Sequence, residues 1–431
     1  MANFVIRRDR YLKQLVDFQW DGQVKVVTGL RRCGKSFLLK KLFRDHLLEN
    51  GAEPSDILCV DLDVDANAAL RNPLRLGEHV RDWMAGARGR RYLFVDEIQM
   101  CEAVPNPWVP GGKKITFYDT LNGLRSIENL DVYVTGSNSR MLSSDILTEF
   151  RGRSDEVRLH PLSFAECLAA SGGDRRDVFQ SYLRFGGMPL VLSRKTDAAK
   201  ESYLKGLFGE VYLKDIVERR RVDRVDVLEG TLDLLCSSVG SLTNPTNVAR
   251  GIARAGLETS PHTVRTYIGH LKDAFLFNEL RRYDVKGKSY FDYPDKYYCE
   301  DVGLRNARLG FRQQETTHLV ENAVCNELLA RGFSVDVGVV PFRETDANGN
   351  SVHVQREIDF VVNKTSERVY VQSAWAIPTE EKRAAELKPF SATGDSFRKI
   401  VVRDDVLHRS FDETGVLHVN LLDFLLDESI V

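Results

Sequence analysis

The chain has 431 residues, 43% hydrophobic and 28% charged, with 60 Lys+Arg against 62 Asp+Glu and a net charge of −2. That balance is globular, and the length predicts roughly two to four domains of ~100–200 residues. It excludes a globally basic nucleic-acid binder, though a local basic face stays open, and no apolar run reaches the ~18 residues of a membrane span.

The start, MANFVIRRDR, lacks the apolar core of a signal peptide. Seven scattered cysteines without a CxxC pair argue against a disulfide framework and a zinc site. A cytoplasmic protein without a membrane partner is the expectation.

Gln23 to Thr28 (QVKVVT) reads as a buried strand. Gly29-Leu30-Arg31-Arg32-Cys33-Gly34-Lys35-Ser36 then meets GxxxxGK(S/T) at every fixed position. The following FLLKKLFRDHLLEN puts Leu38, Leu39, Leu42, Phe43 and Leu47 on one helical face. A strand, a glycine turn and a helix start make an anion site, because free N–H groups and the positive helix end face the same point. Gly29 through Ser36 and Phe37 are the expected ATP contacts. Lys35 would reach the β- and γ-phosphates, and the Ser36 hydroxyl would ligate Mg²⁺. Cys33 reads as a small loop filler, with a redox-sensitive thiol as the alternative.

ILCVDL (57–62) is the next apolar run, and RRYLFVDEIQ follows with Tyr92 to Val95 leading into Asp96-Glu97. Asp96 at a strand end would hold Mg²⁺, and Glu97 would polarise the attacking water. DVYVTG (131–136) and Glu156 to Leu159 complete the strands. Strands alternating with helices imply a parallel, doubly wound sheet with its ligand at the strands' C-terminal ends. Ser137 or Asn138, just past the fourth strand, would sense the γ-phosphate; a plain turn is the alternative. Arg151 and Arg153 are candidate arginine fingers, a role that requires a homo-oligomer, or else surface arginines.

With these residues in place, the chain resembles the prokaryotic AAA-type ATPases whose C-terminal half is domain of unknown function 4143. The likeness rests on GLRRCGKS, LFVDEIQ, VTGSNSRML, the GR of FRGRSDEV, HPLSFAE, FGGMPLVL, YLKDIVER, KYYCEDVGLRNA and VENAVCNELLARG, in order from about residue 23 onward. It implies an ATPase core over 1–160 and a helical lid with linker over 161–222. Within the lid, Ser163 and Glu166 form a capping box, and Gly186-Gly187-Met188-Pro189 breaks two helices. Arg219-Arg220-Arg221 closes a long helix running from Tyr203, as a solvated basic end or a phosphate contact.

Residues 223–290 read as a winged helix. Asn244-Pro245 and Ser260-Pro261 each cap a short helix, a pattern that suggests helix-turn-helix, and FLFNELRRYDVKGK supplies two strands with a basic wing. His262, Arg265, Thr266 and His270 could face a DNA groove; an internal packing module is the alternative.

From 291 to 431 the pattern looks like a PD-(D/E)XK nuclease core. An active member needs a helix Glu, a strand Asp and, on the next strand, Glu-x-Lys, holding Mg²⁺. Glu321 and Asp359 are present, but Gln372-Ser373-Ala374 stands where Glu-x-Lys should be, so strong metal-dependent cleavage is not expected. Glu357, two residues before Asp359 on the same face, is a weak substitute acid. The fold class expected is therefore α/β: a P-loop NTPase sheet of AAA/ASCE type, a helical lid, a winged helix and a nuclease-like domain. The function expected is Mg²⁺-dependent ATP hydrolysis coupled to DNA binding, remodelling or translocation. The alternative is a nucleotide-dependent switch or scaffold that binds a protein partner through its C-terminal domain.

Overall fold

The computed structural model describes residues 5–137, 153–312, 315–345 and 350–431. The chain divides into two compact units, residues 1–160 with 273–275, and residues 161–272 with 276–431.

The first unit is built on five parallel strands: β1 (Val24–Thr28), β2 (Ile57–Asp61), β3 (Arg91–Asp96), β4 (Leu130–Thr135) and β5 (Ser154–Arg158). Their order is β2-β3-β4-β1-β5. β1 lies inside the sheet and every one of its residues is buried, which is why it reads as a continuous apolar run. Lys25 is the exception in kind. It is tolerated there because its ammonium pairs with Asp131 Oδ1 at 2.7 Å and Asp21 Oδ1 at 2.6 Å. Val26, Leu93, Val95 and Val134 pack with Leu76, Val80 and Leu121 from two helices. The rings of Phe43, Phe94 and Tyr133 also meet, with centroids 4.8–5.7 Å apart. This fixes the helix after β1, which runs without a break through Lys35–Phe37, Leu38–Phe43 and Arg44–Glu49, its middle stretch π-helical.

The second unit opens with helices Phe164–Ser171 and Arg175–Phe185. Ser163 and Glu166 cap the first reciprocally, at 3.2 and 2.9 Å. At Gly187 a Cβ would lie 2.0 Å from the Leu162 carbonyl oxygen, so the chain break there accepts only glycine. The next helix begins at Asp197, not Tyr203, and runs through Asp197–Gly206, Leu207–Leu213 and Lys214–Arg220. Thr196 caps it, its hydroxyl accepting from Ala199 N at 3.2 Å, a signal the sequence reading passed over.

Three more helices follow, Val225–Ser237, Pro245–Arg254 and Pro261–Asp273, with strand β6 (Leu242–Thr243) between the first two. Then come β7 (Phe277–Leu280), β8 (Arg282–Asp284), β9 (Ser289–Tyr290) and β10 (Asp295–Cys299). β6, β10 and β7 form a small antiparallel sheet in that order. The two strands expected from FLFNELRRYDVKGK exist but serve different sheets. β7 pairs with β10, while β8 pairs in parallel with β11 (Ser334–Thr345).

The remaining strands are β12 (Ser351–Lys364), β13 (Glu367–Ala374), β14 (Arg398–Arg403), β15 (Ser410–Phe411) and β16 (Leu417–Asn420). They extend one sheet of order β15-β16-β14-β13-β12-β11-β8-β9. The β11–β12 register shifts between Asp336 and Gly338. Ile358 and Val361 accordingly share one core, whereas Phe360 turns away to meet Tyr298, ring centroids 5.8 Å apart. Gly338 permits this, because a Cβ there would lie 2.8 Å from Val361 and 2.9 Å from Ile358.

Candidate nucleotide site

The loop after β1 turns on residues with positive φ: Gly29 at 132°, Arg32 at 63° and Gly34 at 108°. A Cβ on Gly29 would lie 2.1 Å from the Leu159 carbonyl oxygen, so that position is closed to any side chain. Cys33 is buried with its sulfur 3.4 Å from the same oxygen, which makes it a filler of the loop. Arg8 braces the outside, donating to Cys33 O at 3.3 Å and His160 O at 2.7 Å. Lys35 is buried and donates to the Gly29 and Leu30 carbonyls at 2.9 and 3.0 Å. Phe37 is exposed at the start of the helix.

Asp96, buried at the end of β3, is the hub. Its Oδ1 accepts from Ser36 Oγ at 2.9 Å and from the Thr135 hydroxyl. Its Oδ2 accepts from Lys40 Nζ at 2.9 Å, and the same ammonium reaches Asp61 Oδ2 at 3.0 Å. Burial would raise the Asp96 pKa, but the hydrogen bonds from Thr135, Lys40 and Ser36 outweigh it and hold the carboxyl below its ordinary value. Lys40 is held above its ordinary value: burial lowers it, and the bonds to Asp96 and Asp61 more than offset that.

Glu97 follows in a left-handed conformation, φ 55°, uncommon for a residue with a Cβ. Its N–H donates to Thr135 Oγ1 at 2.9 Å. Its carboxylate accepts from the Gln99 amide and from Ser137 Oγ, the latter at 3.2 Å. Gln99 also donates to Ser137 Oγ at 3.2 Å.

The structure thus brings Lys35, Ser36, Asp96, Glu97 and Ser137 to one end of one sheet. Asn138 and Arg151 lie outside the described residues. Arg153 is exposed just before β5. Thr135, Gln99, Lys40 and Asp61 were missed by the sequence reading. Lys40 stands four residues after Ser36, one helical turn along the same face, and Asp61 ends the strand beside β3. A Mg²⁺ ion takes hard oxygen ligands, and a Ser hydroxyl 2.9 Å from a carboxylate oxygen supplies two of them, so the donor set fits that ion.

Elsewhere, His262, Arg265 and Thr266 are exposed on helix Pro261–Asp273, and His270 is half-buried. Glu321 and Asp359 are buried and face one ammonium, that of Lys296. Gln372 does not join them. Its amide donates to Glu386 at 2.9 Å and its oxygen accepts from Asp359 N at 3.2 Å.

Among the described residues, no helix is long and apolar enough to cross a membrane. Residues 21–168 match the family model of a AAA domain, and residues 176–315 match domain of unknown function 8612, where the resemblance implied number 4143. An uncharacterized protein of Methanocaldococcus jannaschii is 24% identical over 377 residues, 83% of this chain and 75% of that one. The solved structure of a Walker-type ATPase of Pyrococcus abyssi superposes with a TM-score of 0.50 at 13% identity, covering 71% of this chain and 96% of that one, a likeness of fold. An uncharacterized protein of Haemophilus influenzae is 31% identical over 431 residues, 99% of this chain and 100% of that one. The chain belongs to the family of that Haemophilus influenzae protein, with a AAA-type P-loop ATPase domain followed by domain of unknown function 8612.

Proposed function

We propose that the chain binds ATP with Mg²⁺ across Gly29–Phe37 and hydrolyses it, as an oligomer whose cycle is coupled to DNA binding or remodelling. The observation that carries the reading is the convergence of Ser36 and Thr135 on Asp96, with the Glu97 N–H donating to the same Thr135 hydroxyl. Bound Mg·ATP supplies the phosphoryl group and the neutralising cation. The loop N–H groups and Lys35 hold the phosphates, and Ser36 and Asp96 hold the ion. Glu97 orients the attacking water and takes its proton. Ser137, bonded to the Glu97 carboxylate, links that group to the end of β4, and Asn138 is its neighbour in the same role. Arg153 and Arg151 act on the nucleotide of an adjoining subunit.

The DNA element is a winged helix over 223–290. Its support is the succession helix, β6, two helices and β7, with β6 and β7 both pairing to β10 just past residue 290. His262, Arg265 and Thr266 present its polar face. Residues 161–222 form the lid. Residues 291–431 form a nuclease-like domain without strong cleavage activity, because the Glu-x-Lys position reads Gln372-Ser373-Ala374. Among the described residues none of the seven cysteines is joined in a disulfide, which suits a cytoplasmic protein.

The test is the ATPase rate of the full chain with and without duplex, single-stranded and branched DNA, with Glu97→Gln as control. Stimulation by one DNA form, lost in the variant, is the expected result. No turnover in any condition overturns the ATPase reading. Turnover with neither DNA stimulation nor salt-sensitive DNA binding overturns the DNA part. That last outcome favours a nucleotide-dependent switch with a protein partner, a reading supported by the Gln99 and Ser137 contacts that hold Glu97.

A further inference from the structure

The second unit contains a charge cluster that ATP hydrolysis does not use. Lys296 projects from β10 with its side chain 5% exposed, and its ammonium lies 3.0 Å from Glu321 Oε1 and 3.8 Å from Asp359 Oδ1. It also pairs with Glu357 Oε1. The three carboxylates come from two elements, helix Thr316–Ala330 and β12, and the ammonium comes from a third. The surrounding donors are fixed. Tyr298 Oη donates to Glu321 Oε1 at 2.6 Å, and Ser373 N donates to Asp359 Oδ2 at 2.9 Å. Gly240 closes one side; a Cβ there would sit 3.1 Å from Glu321 Oε1.

Three carboxylates converging from separate elements make the kind of oxygen cage that hard divalent cations occupy. Here the centre is taken by an ammonium. One ammonium faces three carboxyl groups, so negative charge is in excess and the buried Asp359 carboxyl is driven toward its neutral form. The protonation preferences agree. Burial, then the Glu321 charge, push the Asp359 carboxyl well above its ordinary value against the pull of Lys296. Burial alone would lower Lys296, but Glu321, Asp359 and Glu357 reverse that and keep it charged. Ser373, whose N–H bonds Asp359, is 8% exposed, and its hydroxyl has no hydrogen-bond partner among the described residues. Among those residues, no group of three or more His, Cys, Asp or Glu side chains is arranged to hold a metal ion, and the intruding ammonium explains why this group is not.

We propose that Lys296 is the resident cation of a cage formed by Glu321, Glu357 and Asp359. The ammonium ties β10 to β12 and helix Thr316–Ala330 and shuts out divalent metal, and removing it opens a divalent-cation site. The inference stands apart from the nucleotide reading, since no group in it belongs to the first unit.

The test uses the full chain in an Asp96→Asn background, which removes the nucleotide-site carboxylate, and reads thermal unfolding with EDTA or with Mn²⁺. Lys296→Ala should unfold about 5–10 °C lower in EDTA, and Mn²⁺ at about 1 mM should recover most of that loss. Terbium emission excited through tyrosine should rise in this variant, because Tyr298 Oη touches the cage. The background chain that keeps Lys296 should show neither effect. Adding Glu321→Gln to Lys296→Ala should abolish the recovery. Recovery that survives Glu321→Gln, or no recovery at all, overturns the proposal. Mn²⁺ stabilisation or terbium emission of equal size with Lys296 present overturns it as well, and that arm holds even where Lys296→Ala does not fold.

Discussion

Two carboxylate clusters in this molecule each carry a lysine, and they differ in seal. In the first unit Lys40 bridges Asp61 and Asp96 with its side chain 31% exposed. In the second, Lys296 sits among Glu321, Glu357 and Asp359 at 5%. The pairing chemistry is the same, but on the proposed reading the open cluster can exchange its ammonium for a metal carried in by a ligand. The closed one cannot without unfolding locally, since water and ion must reach a group before they can replace its partner. On the proposed reading, lysine–carboxylate pairing serves exchange in one place and permanence in the other, and solvent access decides which.

The largest effect should come from the open cluster. Glu97→Gln removes the group proposed to take the proton from water, so ATP turnover should fall about 10²–10⁴-fold with nucleotide binding little changed, read by steady-state rate and fluorescent-nucleotide titration. A variant within twofold of the parent would move the catalytic base elsewhere. The closed cluster should answer in stability instead. Lys296→Met leaves the buried Glu321 and Asp359 and the half-buried Glu357 without their counter-ion, which should cost about 3–5 kcal/mol in urea unfolding with turnover per folded molecule unchanged.

The penalty should also depend on pH, in a direction the cage fixes. Asp359 has its folded pKa raised, so the folded state holds protons that the unfolded state releases. Its neutral form favours folding below the unfolded carboxyl pKa, and that benefit is lost as pH rises through the folded value. The Lys296→Met loss should therefore be greater at pH 8 than at pH 5. A flat profile would mean the carboxylates had rearranged to solvent.

Smaller effects sharpen the contrast. With Lys40→Met, Asp96 loses a competitor for the Mg²⁺ proposed to bind there, and the Mg²⁺ concentration needed for half-maximal nucleotide binding should fall about 3–10-fold. An unchanged requirement would show that Lys40 stays on Asp96 when the ion arrives. Gln99→Ala frees the Glu97 carboxylate from its amide and should raise the basal rate about 2–5-fold. A fall would place Gln99 in the machinery instead.

The geometry of the candidate nucleotide site was largely legible in the sequence. Gly29, Gly34, Lys35 and Ser36 lie within one strand–loop–helix turn, and Asp96-Glu97 end one strand, so local spacing reports their geometry. The caps at Ser163, Asn244 and Ser260 were legible for the same reason, each acting within three residues of itself. Thr196 was equally local and was missed, which misplaced the start of its helix. The partners of Asp96 were harder. Lys40 and Asp61 carry no motif, and only the packing of β2 beside β3 brings Asp61 to the site. The separation of β7 and β8 into two sheets was not legible either, because it depends on which partner strand each one meets.

What the sequence determined by itself was the phosphate loop, the acidic strand end and the alternation of elements that makes a parallel sheet. Each follows from residues adjacent along the chain, where backbone geometry and 3.6- or two-residue periods fix who faces whom. What only the tertiary structure decided was the meaning of the remaining charges. Lys296 opens the segment KYYCEDVGLRNA and Glu321 stands second in VENAVCNELLARG, and neither string says that they touch. A buried ion takes whatever counter-ion packing delivers to it, and packing joins elements by shape and burial, without regard to their distance along the chain.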